Sequence, residues 1–133
     1  MNIANRLAKE AVNLKDIGIS TIAIMPNDVS SYPEDSYENM KYFSEKHNFQ
    51  FQYLYDSTQS VATNYKAVCT PDIFGFNSDL ILKYRGRIDS GVMLNNKNKN
   101  IKRDLFYAME LISNTNEGPI TQYNSLGCSI KWF

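Results

Sequence analysis

The chain has 133 residues, 43% apolar and 21% charged, and its fourteen basic and fourteen acidic side chains cancel at neutral pH. That length supports one ordinary globular domain, and the balanced charge excludes an electrostatically driven nucleic-acid binder. No apolar run approaches the roughly 18 residues needed to span a bilayer, which points to a cytoplasmic protein with no membrane partner.

Ile3, Leu7, Ala11 and Leu14 recur at helical spacing, and Asp16-Ile17-Gly18 supplies a stop, so residues 1–16 are predicted to form an amphipathic helix. Residues 19–25 follow as a strand. Their near-continuous apolar character fits a parallel strand covered on both faces, and Pro26-Asn27-Asp28 ends it. A turn-rich loop over 31–36 leads into a helix over 37–47, with Met40, Phe43 and Tyr37 on its inner face. Glu34 and Asp35, adjacent at that helix start, suit capping and dipole roles better than paired acid–base catalysis. Residues 51–55 make a short strand, and Phe49, Phe51 and Tyr53 alternate as strand residues do. Asp56 or Ser57 then caps a helix running to Tyr65 with Val61 and Ala62 inward.

Lys66-Ala67-Val68 links that helix to Cys69-Thr70-Pro71-Asp72. Pro71 has no N–H to donate, so it heads the strand over 73–76, and Thr70 before it is pushed to an extended conformation. A Thr-Pro entering a strand is a place where a cis peptide can be kept. Asn77-Ser78-Asp79 turns the chain into a second strand over 80–89, completing a hairpin. After a loop over 89–100, Ile101, Leu105, Ala108, Met109 and Ile112 set a last long helix. The basic positions between Asn95 and Arg103 read as a solvated loop and helix start. From Thr115 the chain is polar and turn-rich until Ser129-Ile130-Lys131-Trp132-Phe133, where Trp132 either docks the tail on the body or forms an oligomer contact. Residues 1–114 are therefore assigned to one domain and 115–133 to a C-terminal tail.

Two cysteines without a signal peptide argue against a disulfide scaffold and for thiols that are either buried or reactive. Cys69 carries two readings of equal weight, a chemically active thiol or a small buried hydrophobe. Cys128, between Gly127 and Ser129, reads as an exposed thiol with two readings, a resolving or peroxide-sensing role and, with somewhat more weight, a structural or idle one. A Cys69–Cys128 disulfide would require the tail to fold back over the proline turn. Arg85 and Arg87 alternate on the second hairpin strand and share a face, either to supply positive charge to a site or to form ion pairs with Asp72, Asp79 or Asp89. His47 is the only histidine and reads as a cation at a helix C-terminus. Neither spacing nor partner histidines suggest a metal, and no cofactor is called for.

Five segments occur in one order along nearly the whole chain: Pro33-Glu34-Asp35-Ser36 with Met40, Asp56-Ser57-Thr58-Gln59, Cys69-Thr70-Pro71-Asp72, Tyr84-Arg85-Gly86-Arg87-Ile88-Asp89, and Gly127-Cys128-Ser129-Ile130-Lys131-Trp132. In that order they resemble a peroxiredoxin-like branch of the alkyl hydroperoxide reductase/thiol-specific antioxidant family, the redoxins of thioredoxin-like fold. The resemblance implies an α/β thioredoxin-like fold, which agrees with the β-α-β alternation closed by a hairpin and a helix. It also implies a thiol-dependent oxidoreductase and antioxidant that reduces a small peroxide or a protein disulfide and is recycled by a thiol reductant such as a thioredoxin.

By the same resemblance, a strand and a nucleophilic cysteine at a helix N-terminus would precede residue 1, so the expectation is an N-terminally truncated form lacking its central strand. Cys69 would be the substrate-facing or resolving thiol, Thr70 and Pro71 would shape the site, Arg85 or Arg87 would give charge, and Cys128 would be a second redox thiol. The alternative is a non-catalytic redoxin domain that binds a partner or forms a homo-oligomer through an exposed sheet position.

Overall fold

The computed structural model describes residues 3–93 and 101–133. Met1 and Asn2 of the predicted first helix, and positions 94–100 of the predicted loop with its basic residues, lie outside the described residues. Among the described residues the helices are α1 (Ile3–Asp16), α2 (Tyr37–Lys46), α3 (Ser60–Tyr65) and α4 (Asp104–Thr115). The strands are β1 (Ile22–Met25), β2 (Gln52–Tyr55), β3 (Cys69–Thr70), β4 (Ile73–Phe76), β5 (Leu82–Gly86) and β6 (Cys128–Ser129). They pair as β1–β2, β3–β6 and β4–β5. The chain divides into two compact units, one running up to Val68 and taking in Ser129–Phe133, the other Cys69–Cys128.

In the first unit, α1 buries Ile3, Ala4, Ala8, Ala11 and Leu14, so Ile3, Ala11 and Leu14 of the expected stripe lie in the core while Leu7 is only half-buried. β1 and β2 run parallel, with Ala23 opposite Tyr53 and Ile24 opposite Leu54. Helix α2 packs on β2. Phe43 meets Phe49 and Tyr53 at ring distances of 5.7 and 6.4 Å. Tyr37 points outward instead of inward, while Met40 is buried.

The sequence reading of this unit needs three further corrections. β1 is not covered on both faces: Ile22 is 60% exposed, and Ile24 and Leu54 are exposed beside it. An apolar run shows that a strand wants cover, not what supplies it. The start of α2 is capped by Ser36, whose Oγ accepts the Asn39 N–H at 3.3 Å. Glu34 and Asp35 belong to the 3₁₀ turn Pro33–Asp35, where the Asp35 carboxylate accepts from the Asn27 amide at 3.0 Å. Neither Asp56 nor Ser57 is the N-cap of α3. That position is Gln59, at φ 62°. The Asp56 carboxylate nevertheless reaches into the first turn and accepts the N–H of Ala62 at 3.0 Å and of Val61 at 3.4 Å, so it satisfies orphan donors from outside the cap position.

The second unit is built on the β4–β5 hairpin, antiparallel with Phe74 opposite Arg85 and Gly75 opposite Tyr84. Its turn is held by Asn77, whose Oδ1 accepts the N–H groups of Asp79 and Ile81, both at 3.0 Å. α4 lies on both strands and buries Leu105, Ala108, Met109 and Ile112, with Tyr84 and Ile88. This helix starts at Asp104, not at Ile101. Ser90 explains the delay, because its N–H donates to the Lys102 carbonyl at 2.9 Å and its Oγ accepts the Lys102 N–H at 2.7 Å, which holds residue 102 in a non-helical pairing.

The last residues return to the first unit. Ile130 is buried, and Lys131 exchanges backbone bonds there, its N–H donating to Asn27 Oδ1 at 2.9 Å and its carbonyl accepting the Asp28 N–H at 2.8 Å. Gln59, 5% exposed, donates to the carbonyls of Pro26 and Lys131 at 2.9 and 3.0 Å, and its Oε1 accepts the Phe133 N–H at 3.2 Å. The tail is thus anchored by Ile130 and by backbone hydrogen bonds, whereas Trp132 and Phe133 are exposed. Gln59→Leu leaves those buried backbone groups unpaired and should cost about 1–3 kcal/mol in chemical denaturation, with faster proteolysis of the last five residues. Unchanged stability would show that the Gln59 bridge does not hold the tail.

Candidate functional site around Cys69

Cys69 and Thr70 form β3, and the Thr70–Pro71 peptide that follows is cis. The Cys69 thiol is half-buried, donating toward the Pro71 carbonyl at 3.4 Å and facing the Ser125 carbonyl at 4.0 Å. Two carbonyl oxygens favour a thiol that donates and disfavour a thiolate. Burial pushes the Cys69 pKa up, the negative charge of Asp72 adds to this, and Arg85 opposes it. Successive strand residues face opposite ways. The Thr70 hydroxyl, next along, lies 3.4 Å from the Cys128 carbonyl. Gly127 passes so close to the Thr70 carbonyl that a Cβ there would collide with it. Both cysteines are free thiols, Cys128 being exposed.

The segment opposite Cys69 is fixed by the outer edge of β5. Gln122 substitutes for a neighbouring strand, its Oε1 accepting the Arg85 N–H and its Nε2 donating to the Lys83 carbonyl, both at 2.9 Å. Tyr123 accepts the Arg87 N–H on its carbonyl at 2.9 Å, and Ser125 Oγ donates to the Gly86 carbonyl at 2.6 Å. A Cβ on Gly86 would come within 2.5 Å of the Tyr123 oxygen, so this approach depends on glycine. Each of these contacts carries the chain toward Ser125, whose carbonyl the thiol meets.

The two arginines do not share one task. Arg85 grips Asp72 with Nη2–Oδ2 at 2.9 Å and Nε–Oδ1 at 3.4 Å, and its guanidinium stacks on Phe74 at 4.9 Å. The Asp72 side chain is 5% exposed, so this ion pair is a requirement of burial. Arg87 instead bonds Asp104 at 2.7 Å and lies over the Tyr123 ring at 4.4 Å, at the start of α4. The expected pairing with Asp72 is found for Arg85. The partner of Arg87 is neither Asp79 nor Asp89 but Asp104, which the sequence reading did not single out. Asp89 accepts the Gly91 N–H instead, at 2.9 Å. His47, at the C-cap of α2, meets Asn5 Oδ1 through Nδ1 at 2.8 Å. Surface depressions of about 210 Å³ near Tyr37–Tyr53 and Ile24–Val61 contain no cysteine.

The AhpC/TSA family model matches residues 2–90. The chain belongs to the AhpC/TSA family. Its fold is accordingly thioredoxin-like, and the family is one of thiol-dependent peroxidases and oxidoreductases. A crystal structure of an uncharacterized conserved protein from Geobacillus kaustophilus is 40% identical and superposes with a TM-score of 0.90 over 98% of this chain and 69% of that one. A hypothetical protein from Sinorhizobium meliloti 1021 is 34% identical with the same TM-score, over 98% of this chain and 71% of that one. No curated protein matches the chain. Among the described residues, no helix is long and apolar enough to cross a membrane.

In this AhpC/TSA chain Tyr84 belongs to the core of the second unit. It is 1% exposed, and its hydroxyl donates to the Arg87 carbonyl at 2.6 Å. Burial first, and the Asp104 charge second, push its pKa from the ordinary 10.0 up to about 12. The folded state therefore keeps the Tyr84 proton more tightly than the unfolded chain does. The stabilisation is complete below pH 10 and is lost as the pH rises from 10 toward about 12. Denaturant unfolding as a function of pH should fall across that window in the wild type and fall less in Tyr84→Phe. Identical slopes would remove Tyr84 as the cause.

Proposed function

We propose that the protein is a peroxiredoxin-like thiol oxidoreductase in which Cys69 acts as the substrate-facing or resolving thiol. The observation that carries this reading is the half-buried Cys69 sulfur, held as a donor to the Pro71 carbonyl beside the Asp72–Arg85 pair, in a chain of the AhpC/TSA family. A thiol kept protonated is a poor first nucleophile toward peroxide, since the thiolate is the reactive form. The assignment is therefore to the second step, in which the Cys69 sulfur gives up its proton as it attacks. There, Cys69–SH reacts with a sulfenic acid that a peroxide has made on another thiol. The S–S bond forms, the sulfenic hydroxyl leaves with the Cys69 proton as water, and the two sulfurs end as a disulfide. A dithiol reductant of the thioredoxin class then returns both thiols and is itself oxidised. Thr70 and Pro71 shape the approach to the sulfur, Arg85 is the cation that acts on it, Arg87 supports the strand end, and Cys128 is the accessible second thiol.

A second reading, partner binding or homo-oligomerisation without catalysis, is favoured by the exposed Ile22, Ile24 and Leu54 on the β1–β2 sheet. The two are separated by supplying hydrogen peroxide, or a small disulfide, with a thioredoxin-class reductant and following reductant consumption. The catalytic reading expects turnover that falls at least tenfold in Cys69→Ser. Turnover equal in wild type and variant removes Cys69 from the mechanism. No turnover together with concentration-dependent association in sedimentation supports the second reading.

A further inference from the structure

We propose that residues 118–127 form a latched strap that selects by size which reactants reach the Cys69 sulfur, with Gln122 as its latch. Closed, the strap passes small molecules and turns away a protein-sized thiol. The inference rests on the reading of Cys69 as the working thiol and adds a control on access to it. The strap follows α4 and has no helix or strand of its own. Two glycines pressed against backbone bracket it, Gly118 on the Lys83 carbonyl and Gly127 on the Thr70 carbonyl, and a Cβ at either place would collide. Between them no residue is buried, and Ile120, Tyr123 and Leu126 are exposed. Apolar burial therefore does not hold the strap down; polar contacts do. Gln122 commits its whole side-chain amide, Oε1 accepting the Arg85 N–H at 2.9 Å and Nε2 donating to the Lys83 and Pro119 carbonyls at 2.9 and 3.0 Å. The Tyr123 carbonyl on the Arg87 N–H, the Ser125 hydroxyl on the Gly86 carbonyl and the Arg87 guanidinium over the Tyr123 ring complete the attachment. A segment so attached can be released as a unit, once its latch is undone, without unfolding the hairpin that it lies on. The same segment carries the Ser125 carbonyl to 4.0 Å from the Cys69 sulfur, so lifting it removes one wall of the thiol and leaves the other, the Pro71 carbonyl at 3.4 Å, in place.

The test uses the full chain in a Cys128→Ser background, so that Cys69 is the thiol read out, and two reagents of one chemistry: N-ethylmaleimide and a maleimide joined to a long polyethylene glycol. Each rate is divided by that reagent's rate on free cysteine. With the strap closed, the polymer reagent should lag N-ethylmaleimide by about tenfold or more, because it reacts only from the open form. Gln122→Ala should speed the polymer reagent about tenfold and change N-ethylmaleimide less than about twofold. Ser125→Ala acts in the same direction and serves if the Gln122 variant does not fold, as checked by circular dichroism. Ser36→Ala, which weakens the cap of α2 in the other unit, should leave both rates unchanged. Equal normalised rates in the parent chain overturn the proposal, since the sulfur would then not be screened. So does an equal gain for both reagents in Gln122→Ala, no gain for the polymer, or the same gain in Ser36→Ala. Alkylation needs no peroxide and no reductant, so a closed strap can be found even if Cys69 takes no part in turnover, and an open one even if it does.

Discussion

A hairpin leaves one edge of each strand with backbone groups that must find partners, and in this protein the outer edge of β5 decides where the thiol's surroundings lie. The N–H groups of Arg85 and Arg87 and the carbonyls of Lys83 and Gly86 are all met by residues 122–125, through the Gln122 side-chain amide, the Tyr123 carbonyl and the Ser125 hydroxyl. A polar segment with no strand of its own thereby becomes a fixed wall of the site. Ser125 then presents its carbonyl toward Cys69, and Gly127 brings the chain against Thr70. The chemistry assigned to the sulfur follows from this backbone accounting more than from any single catalytic side chain.

Charge adds the second constraint. Asp72 and Asp104 are nearly buried carboxylates, and breaking such a pair by removing one partner typically costs about 3–5 kcal/mol, so each needs its arginine. Arg85 and Arg87 stand two apart, which places them on one side of the strand, yet they are committed to different acids. One pair lies beside the thiol and the other joins the end of the hairpin to α4. The stacking of Arg85 on Phe74 and of Arg87 on Tyr123 limits their freedom further. Burial and the Asp72 charge push the Cys69 pKa up, and Arg85 opposes them.

Much of this was legible in the sequence. The helical stripes of α1 and α4, the hairpin around Asn77, the proline-headed β4 and the pairing of Arg85 with Asp72 all rest on local periodicity or on residues close to one another across a turn. The β1 face was misread because hydrophobicity records the need for cover without naming the layer. The α3 cap was misplaced because Gln59 adopts a left-handed conformation, which moves the helix start and leaves Asp56 to reach it from outside. Gln122, Ser125 and Asp104 went unnoticed for a common reason. Their roles depend on strand-edge and ion-pair contacts with residues 17 to 39 positions away, and a turn-rich polar segment shows no period that would reveal them.

The most direct test of the account is amide hydrogen exchange at Arg85 and Arg87. Both N–H groups lie on the β5 edge and are bonded by Gln122 and Tyr123. The account predicts protection comparable to that of the paired core strands, since opening these amides requires lifting residues 122–125 from the hairpin. Exchange at the rate of a solvent-facing edge would contradict it, because the wall that presents Ser125 to Cys69 would then not be fixed.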